Sequence, residues 1–98
     1  GIYGTSKSAL STYMKYAALE LAGKGIRCNA VQPGRINTPL ISNRLLSEED
    51  VTKDIEQYPM KRYGKPEEVA HAIIYLLSDA SAWVTGTNLV IDGGRSLK

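Results

Sequence analysis

Gly25-Ile26-Arg27-Cys28-Asn29-Ala30-Val31-Gln32-Pro33-Gly34 is the stretch on which the fold turns. Its interior, Ile26 to Gln32, predicts a short buried strand, and Pro33 with Gly34 predicts the strand's end, because neither continues a regular ladder easily. Residues 3–24, just before it, contain no proline. Ala9, Leu10, Tyr13, Met14, Ala17, Ala18, Leu21 and Ala22 recur there at helical spacing, which predicts one long helix. Tyr16 and Leu19 widen its apolar surface beyond a single stripe, so the helix should be covered on more than one side. Gly23 and Gly25 bracket Lys24, supplying left-handed backbone freedom and a cation at the negative helix end. A strand fed by a long helix points to an α/β fold with a parallel sheet.

Downstream, Thr38 before Pro39 predicts a helix start, and Ser47 with Asp50 predicts a second. Pro59 closes that segment, so Leu40 to Tyr58 reads as one or two short helices. Pro66, Glu67 and Glu68 open a further helix, with acidic groups where the macrodipole favours them and Val69, Ala70, Ile73, Ile74 and Leu77 facing inward. After a turn at Ser78 to Ser81, anchored by Trp83, the run Leu89-Val90-Ile91 predicts a last buried strand between Thr85-Gly86 and Asp92-Gly93-Gly94. Two strands are too few for an open sheet that such helices are built to cover. The remaining strands must come from elsewhere.

The 98 residues allow one compact unit at most. Lys and Arg number 12 against 10 Asp and Glu, scattered without a block, which speaks against nucleic-acid binding. The longest mostly apolar stretch, Val69 to Leu77, is far too short to span a bilayer. Cys28 is the only cysteine. Its apolar neighbours predict a buried, reduced thiol and a cytoplasmic setting. The chain opens on Gly1 with no initiator Met and a candidate catalytic group at its third position, which leads us to expect sequence upstream.

That group is Tyr3, which stands four residues before Lys7 at the start of the long helix, so the two side chains rise from one face. A free phenol titrates near pH 10, too high for easy proton exchange, but a nearby cation favours the phenolate. Tyr3 is therefore a candidate general acid or base. The positive helix end also stabilises a phenolate, whereas it disfavours a lysine, so Lys7 breaks a local rule without visible compensation. Taken alone, the pair is a weak signal and reads more readily as a half-buried aromatic beside a solvated charge.

The pair is not alone. Ala18-Leu19-Glu20-Leu21-Ala22, the block at 25–34 and Ile36-Asn37-Thr38-Pro39 follow it in order. So do Pro59-Met60-Lys61-Arg62-Tyr63-Gly64-Lys65-Pro66-Glu67-Glu68-Val69-Ala70 and Thr85-Gly86-Thr87-Asn88-Leu89-Val90-Ile91-Asp92-Gly93-Gly94. This succession resembles the carboxy-terminal portion of the short-chain dehydrogenase/reductase family over essentially the whole chain.

The resemblance implies the carboxy-terminal part of a Rossmann-like doubly wound parallel sheet. Residues 1–39 would hold the catalytic helix, strand and Pro-Gly cofactor turn, 40–58 a substrate lid, and 59–98 a helix and the final strand. The implied cofactor is NAD or NADP, and the implied substrate a small ketone or secondary alcohol. Tyr3 would exchange the proton, and Lys7 would lower its pKa and hold the nicotinamide ribose. Pro33 and Gly34 would sit against the cofactor. Ile36 would offer backbone groups to the carboxamide, and Thr38 a hydroxyl, a helix cap, or both. Leu40, Ile41, Leu45 and Leu46 would cover a substrate or simply pack, and His71, on a helix away from the site, would be a surface or interface histidine. Homodimers or homotetramers would form through the helix 3–24 and the strand 88–92. The family's glycine-rich loop, Asn-Ala-Gly segment, structural asparagine and catalytic serine belong upstream of the tyrosine, so the 98 residues by themselves should be inactive. An oligomerisation or interaction module without catalysis is the alternative.

Overall fold

A computed structural model describes residues 2–37 and 47–98, without the side chains of residues 2–7. Helix α1 runs Ile2–Ala22. Its end follows from the glycines: Gly25 takes φ +73°, Gly25 N donates to Ala22 O at 3.1 Å, and Ile26 N donates to Leu21 O at 3.2 Å. These two bonds close the helix in the left-handed motif that only glycine adopts cheaply.

The strand that follows is shorter than its apolar run. Strand β1 is Ala30–Pro33, and residues 26–29 lie outside it. Beside residues 26–29 the segment 84–87 turns at Gly86, φ +76°, and the two stretches share one backbone bond, Gly86 N donating to Cys28 O at 2.8 Å. Side chains make the other bonds: Cys28 N donates to Thr85 Oγ1 at 3.1 Å, Asn29 Nδ2 to Val84 O at 2.9 Å, and Thr87 N to Asn29 Oδ1 at 3.0 Å. Cys28 is a free thiol that is half-buried, not buried. Proline is tolerated at the end of β1 because Ala30 N and Gly34 N donate to Thr87 O and Ile91 O, both at 2.9 Å. The alternate residues, Val31 and Pro33, turn their nitrogens to the opposite edge.

Strand β2, Asn88–Ile91, pairs with β1 in parallel, Ala30 opposite Asn88 and Pro33 opposite Ile91, and the described residues form this one two-stranded sheet. Between the strands lie α2, Glu48–Glu56, and α3, Pro66–Leu77, followed by a short 3-10 turn at Asp79–Ser81. Ser47 Oγ accepts Asp50 N at 3.1 Å and caps α2. Thr38 and the apolar positions Leu40, Ile41, Leu45 and Leu46 lie outside the described residues.

So short a sheet cannot cover its helices. Contrary to the inward orientation expected of them, Ile74 and Leu77 of α3 are 62% and 79% exposed, and no residue of α3 is buried. Tyr13, Tyr16 and Leu19 of α1 are 75%, 69% and 78% exposed. Trp83 is fully exposed and anchors nothing; Ser81, entirely buried, holds that turn instead. Each large apolar side chain left in water forgoes about 1.5–3 kcal/mol of burial. The radius of gyration is 16.0 Å, against about 13 Å for a self-contained domain of this length.

Arg27 joins the pieces. Its Nη1 donates to Leu76 O at 2.8 Å and Ser81 Oγ at 2.9 Å, and its Nη2 to Ser78 O at 3.2 Å. Helix α3 has no basic residue in its last turn. Arg27 reaches across from the segment before β1 and supplies the cation its negative end favours.

Candidate functional site

The candidate site is assembled at the carboxyl end of β1, the place where open parallel sheets bind ligands. Pro33 ends the strand, Gly34 bonds to the end of β2, and Ile36 makes an isolated parallel bridge to Gly64. In that bridge Gly64 N donates to Arg35 O at 3.0 Å and Asn37 N donates to Gly64 O at 2.8 Å. A trans peptide sets its N–H and C=O on opposite sides. With the carbonyl of 35 and the amide of 37 both committed to Gly64, the N–H and C=O of Ile36 itself face the other way. The turn thus presents one donor and one acceptor side by side.

Packing around Gly34 is tight. A Cβ there would come within 3.0 Å of Asp92 Cβ and 3.1 Å of both Asp92 Cα and Tyr58 Cε1. Beneath it, Asp92 Oδ1 accepts Gly94 N and Oδ2 accepts Ser96 N, each at 3.0 Å. Desolvation works to raise the Asp92 pKa, but the bonds from Ser96, Gly94 and Arg95 outweigh it and hold the carboxyl below its usual value. Gly93 and Gly94 take φ +59° and +89°, so the Asp-Gly-Gly end of β2 is a hydrogen-bonded turn that leaves room for Pro59 and Met60.

On the outer side of the turn, Arg35 Nη1 pairs with Asp54 Oδ2 at 2.8 Å, and Tyr63 Oη donates to the same oxygen at 2.6 Å. The Tyr63 hydroxyl raises the Arg35 pKa most, with Asp54 adding to it. Burial, then the bond to Asp54, pushes the Tyr63 phenol upward. Tyr58 stacks edge-on against Tyr63, ring centroids 5.9 Å apart, and its hydroxyl accepts Arg35 N at 3.1 Å. Next to this cluster is a cavity of about 290 Å³, with Ile36, Met60, Val69 and Val90 among its walls. At the entry to α3, Arg62 holds Glu68 through two bonds of 2.6 and 2.8 Å, and Lys65 N donates to Glu68 Oε1 at 2.9 Å. Arg62, and then the Lys65 amide, bring the Glu68 pKa down to about 2.

Of the residues expected at the site, Pro33, Gly34 and Ile36 come together at this one strand end. Tyr3 and Lys7 both lie in α1, but their side chains, like Thr38, fall outside the described residues. Arg35, Asp54, Tyr58 and Tyr63 were not among the site residues that the sequence singled out. Arg35 follows directly on the Pro-Gly pair, which is the one available signal; the partners that give it meaning are 19 and 23 residues away. Among the described residues no cluster of His, Cys, Asp and Glu is arranged to hold a metal, and no helix is long and apolar enough to cross a membrane.

A parallel β-α-β arrangement with its turn at the strand's carboxyl end defines part of a Rossmann-like doubly wound sheet. The family model described as enoyl-(acyl carrier protein) reductase matches residues 1–96, and the chain belongs to the short-chain dehydrogenase/reductase family. It is 43% identical over 96 residues to cyclohexanol dehydrogenase of Acinetobacter sp. (strain SE19), covering 98% of this chain and 36% of that protein. It is 45% identical to glucose 1-dehydrogenase 2 of Bacillus subtilis (strain 168), covering 97% of this chain and 36% of the relative. A solved 4-hydroxyisoleucine dehydrogenase complexed with NADH superimposes with a TM-score of 0.88 at 32% identity, covering 98% of this chain and 40% of that one. The chain thus spans little more than a third of the length of the curated relatives it matches.

Proposed function

We propose that the protein carrying this sequence is an NAD(P)-dependent oxidoreductase that moves hydride between a nicotinamide and a ketone or secondary alcohol. The observation that carries the reading is the outward-facing N–H and C=O of Ile36 at the carboxyl end of β1. A carboxamide edge offers both donors and an acceptor, which such a pair complements. Pro33 and Gly34 lie three and two residues before it and would pack against the same group. Thr38 would add a hydroxyl. When bound, the nicotinamide supplies or accepts the hydride.

The chain's own residues would manage the proton. Tyr3 and Lys7 stand one turn apart in α1, and an ammonium at that spacing favours the phenolate. Tyr3 would then give a proton to a substrate carbonyl oxygen in reduction, or take one from the hydroxyl in oxidation. Lys7 would also hold ribose hydroxyls. Residues 40–58 would form a lid over the substrate. The exposed Tyr13, Tyr16 and Leu19 of α1 support pairing with a second copy, as a homodimer or homotetramer, and the single reduced cysteine suits the cytoplasm.

Tyr3→Phe tests the proton role in the native polypeptide. It should remove most turnover while leaving NADH and NADPH affinity nearly intact. Turnover comparable with wild type would reject the role of Tyr3.

A further inference from the structure

We propose that Tyr58 and Asp54 are positioning residues that set the Gly34–Arg35–Ile36 turn, so that the segment around α2 governs how tightly nicotinamide nucleotide is held. The inference rests on the proposed function in one respect only: it takes Ile36 to be the nucleotide's contact.

The turn is fixed peptide by peptide. Arg35 O and Asn37 N are tied to Gly64 on either side of Ile36, at 3.0 and 2.8 Å. The preceding peptide, between Gly34 and Arg35, is held through Arg35 N, and its acceptor is a side chain, the Tyr58 hydroxyl at 3.1 Å. That phenol is itself immobilised. Tyr58 is 7% exposed, its ring edge fills the space beside Gly34, and Tyr63 packs perpendicular to it. The Arg35 side chain is drawn the same way, toward Asp54 Oδ2 at 2.8 Å, and Tyr63 braces that carboxylate from the other side at 2.6 Å. Asp54 stands in the last turn of α2, where the chain leaves the helix for Tyr58. Movement of α2 therefore pulls on Arg35 at two points, its backbone amide through Tyr58 and its guanidinium through Asp54. With three successive peptides pinned, Ile36 has one orientation to offer. Release of the first lets the pair of ligand-facing groups swing away from its partner, an entropic cost that falls on binding and not on the chemical step.

The variants are nearly isosteric. Tyr58→Phe deletes one oxygen and keeps the ring, and Asp54→Asn keeps an acceptor while removing the charge that holds Arg35. Both belong in the native polypeptide, with amide hydrogen exchange at Arg35, affinity for NADH and NADPH by fluorescence titration, and steady-state rates. A net hydrogen bond of ordinary strength predicts exchange at Arg35 about 3- to 10-fold faster in Tyr58→Phe. The nucleotide KM and Kd should rise by a similar factor, and by more than kcat or the carbonyl-substrate KM changes. Asp54→Asn should move the same constants in the same direction, and it decides the matter if Tyr58→Phe fails to fold. Unchanged nucleotide affinity in both variants overturns the proposal, as does a fall in kcat with no change in nucleotide KM. A wild-type protein that binds neither NADH nor NADPH overturns the function itself and this inference with it, whereas tight wild-type binding that the variants share overturns the inference alone.

Discussion

Arg27→Ala offers the sharpest test of what holds this part of the fold together. Its guanidinium makes three bonds of 3.2 Å or shorter, to Leu76 O, Ser81 Oγ and Ser78 O, and a longer one of 3.4 Å to Val84 O. A hydrogen bond to a charged group contributes about 1.5–3 kcal/mol when counted singly. The three do not add, since they share one planar group and water can enter on the open side. Losses above about 4–5 kcal/mol are exceptional for any single residue. The expected cost is therefore about 2–4 kcal/mol, from the orphaned carbonyls at the end of α3 and the loosened Ser81 turn. With a urea slope of about 2 kcal/mol/M, the unfolding midpoint should fall by about 1–2 M at unchanged slope. Arg27→Lys should recover less than half, because an ammonium is a point donor and cannot span two nitrogens' worth of acceptors. An Arg27→Ala midpoint within about 0.3 M of wild type would show that the carbonyls are satisfied without the guanidinium, and would refute the reasoning.

Gly94→Ala should cost about 1–3 kcal/mol in the same denaturation assay, because the site has φ +89° and a Cβ would meet Pro59 Cγ at 2.9 Å. Gly23→Ala, where nothing lies within 4 Å, should be neutral or mildly stabilising, and equal effects at the two glycines would contradict the assignment. Glu68, with its pKa lowered to about 2, favours the folded state above its ordinary value near 4.5. That contribution fades as pH falls toward 2. The melting-temperature gap between wild type and Glu68→Gln should accordingly close across that window, and a gap independent of pH would exclude the Arg62 pair as its source. Lys7→Met should weaken both turnover and nucleotide binding and should move the rise of alcohol oxidation to higher pH, since loss of the cation raises the phenol pKa. An unaltered pH profile would contradict the role of Lys7.

Much of this was legible in the chain itself, and for local reasons. The glycines at 23 and 25, the apolar recurrence from Ala9 to Ala22, the Ser47 cap and the Pro66 start each act within a few residues, where sequence order and spatial order coincide. The turn at Pro33-Gly34 is local in the same sense. What the apolar run Ile26 to Gln32 could not reveal is how much of it would be strand, because that depended on the neighbouring segment, which turns at Gly86 and meets residues 28–29 mostly through side chains. Burial likewise belongs to the partner and not to the residue: Ile74, Leu77 and Trp83 carry the composition of a core yet stand exposed, since the sheet beside them is two strands of four residues. The clasp on Arg35 is wholly tertiary. Nothing near it in the chain announces Asp54, Tyr58 or Tyr63, and only the return of the chain past α2 brings their oxygens to one guanidinium and one amide, since a hydrogen bond depends on position in space and is blind to distance along the sequence.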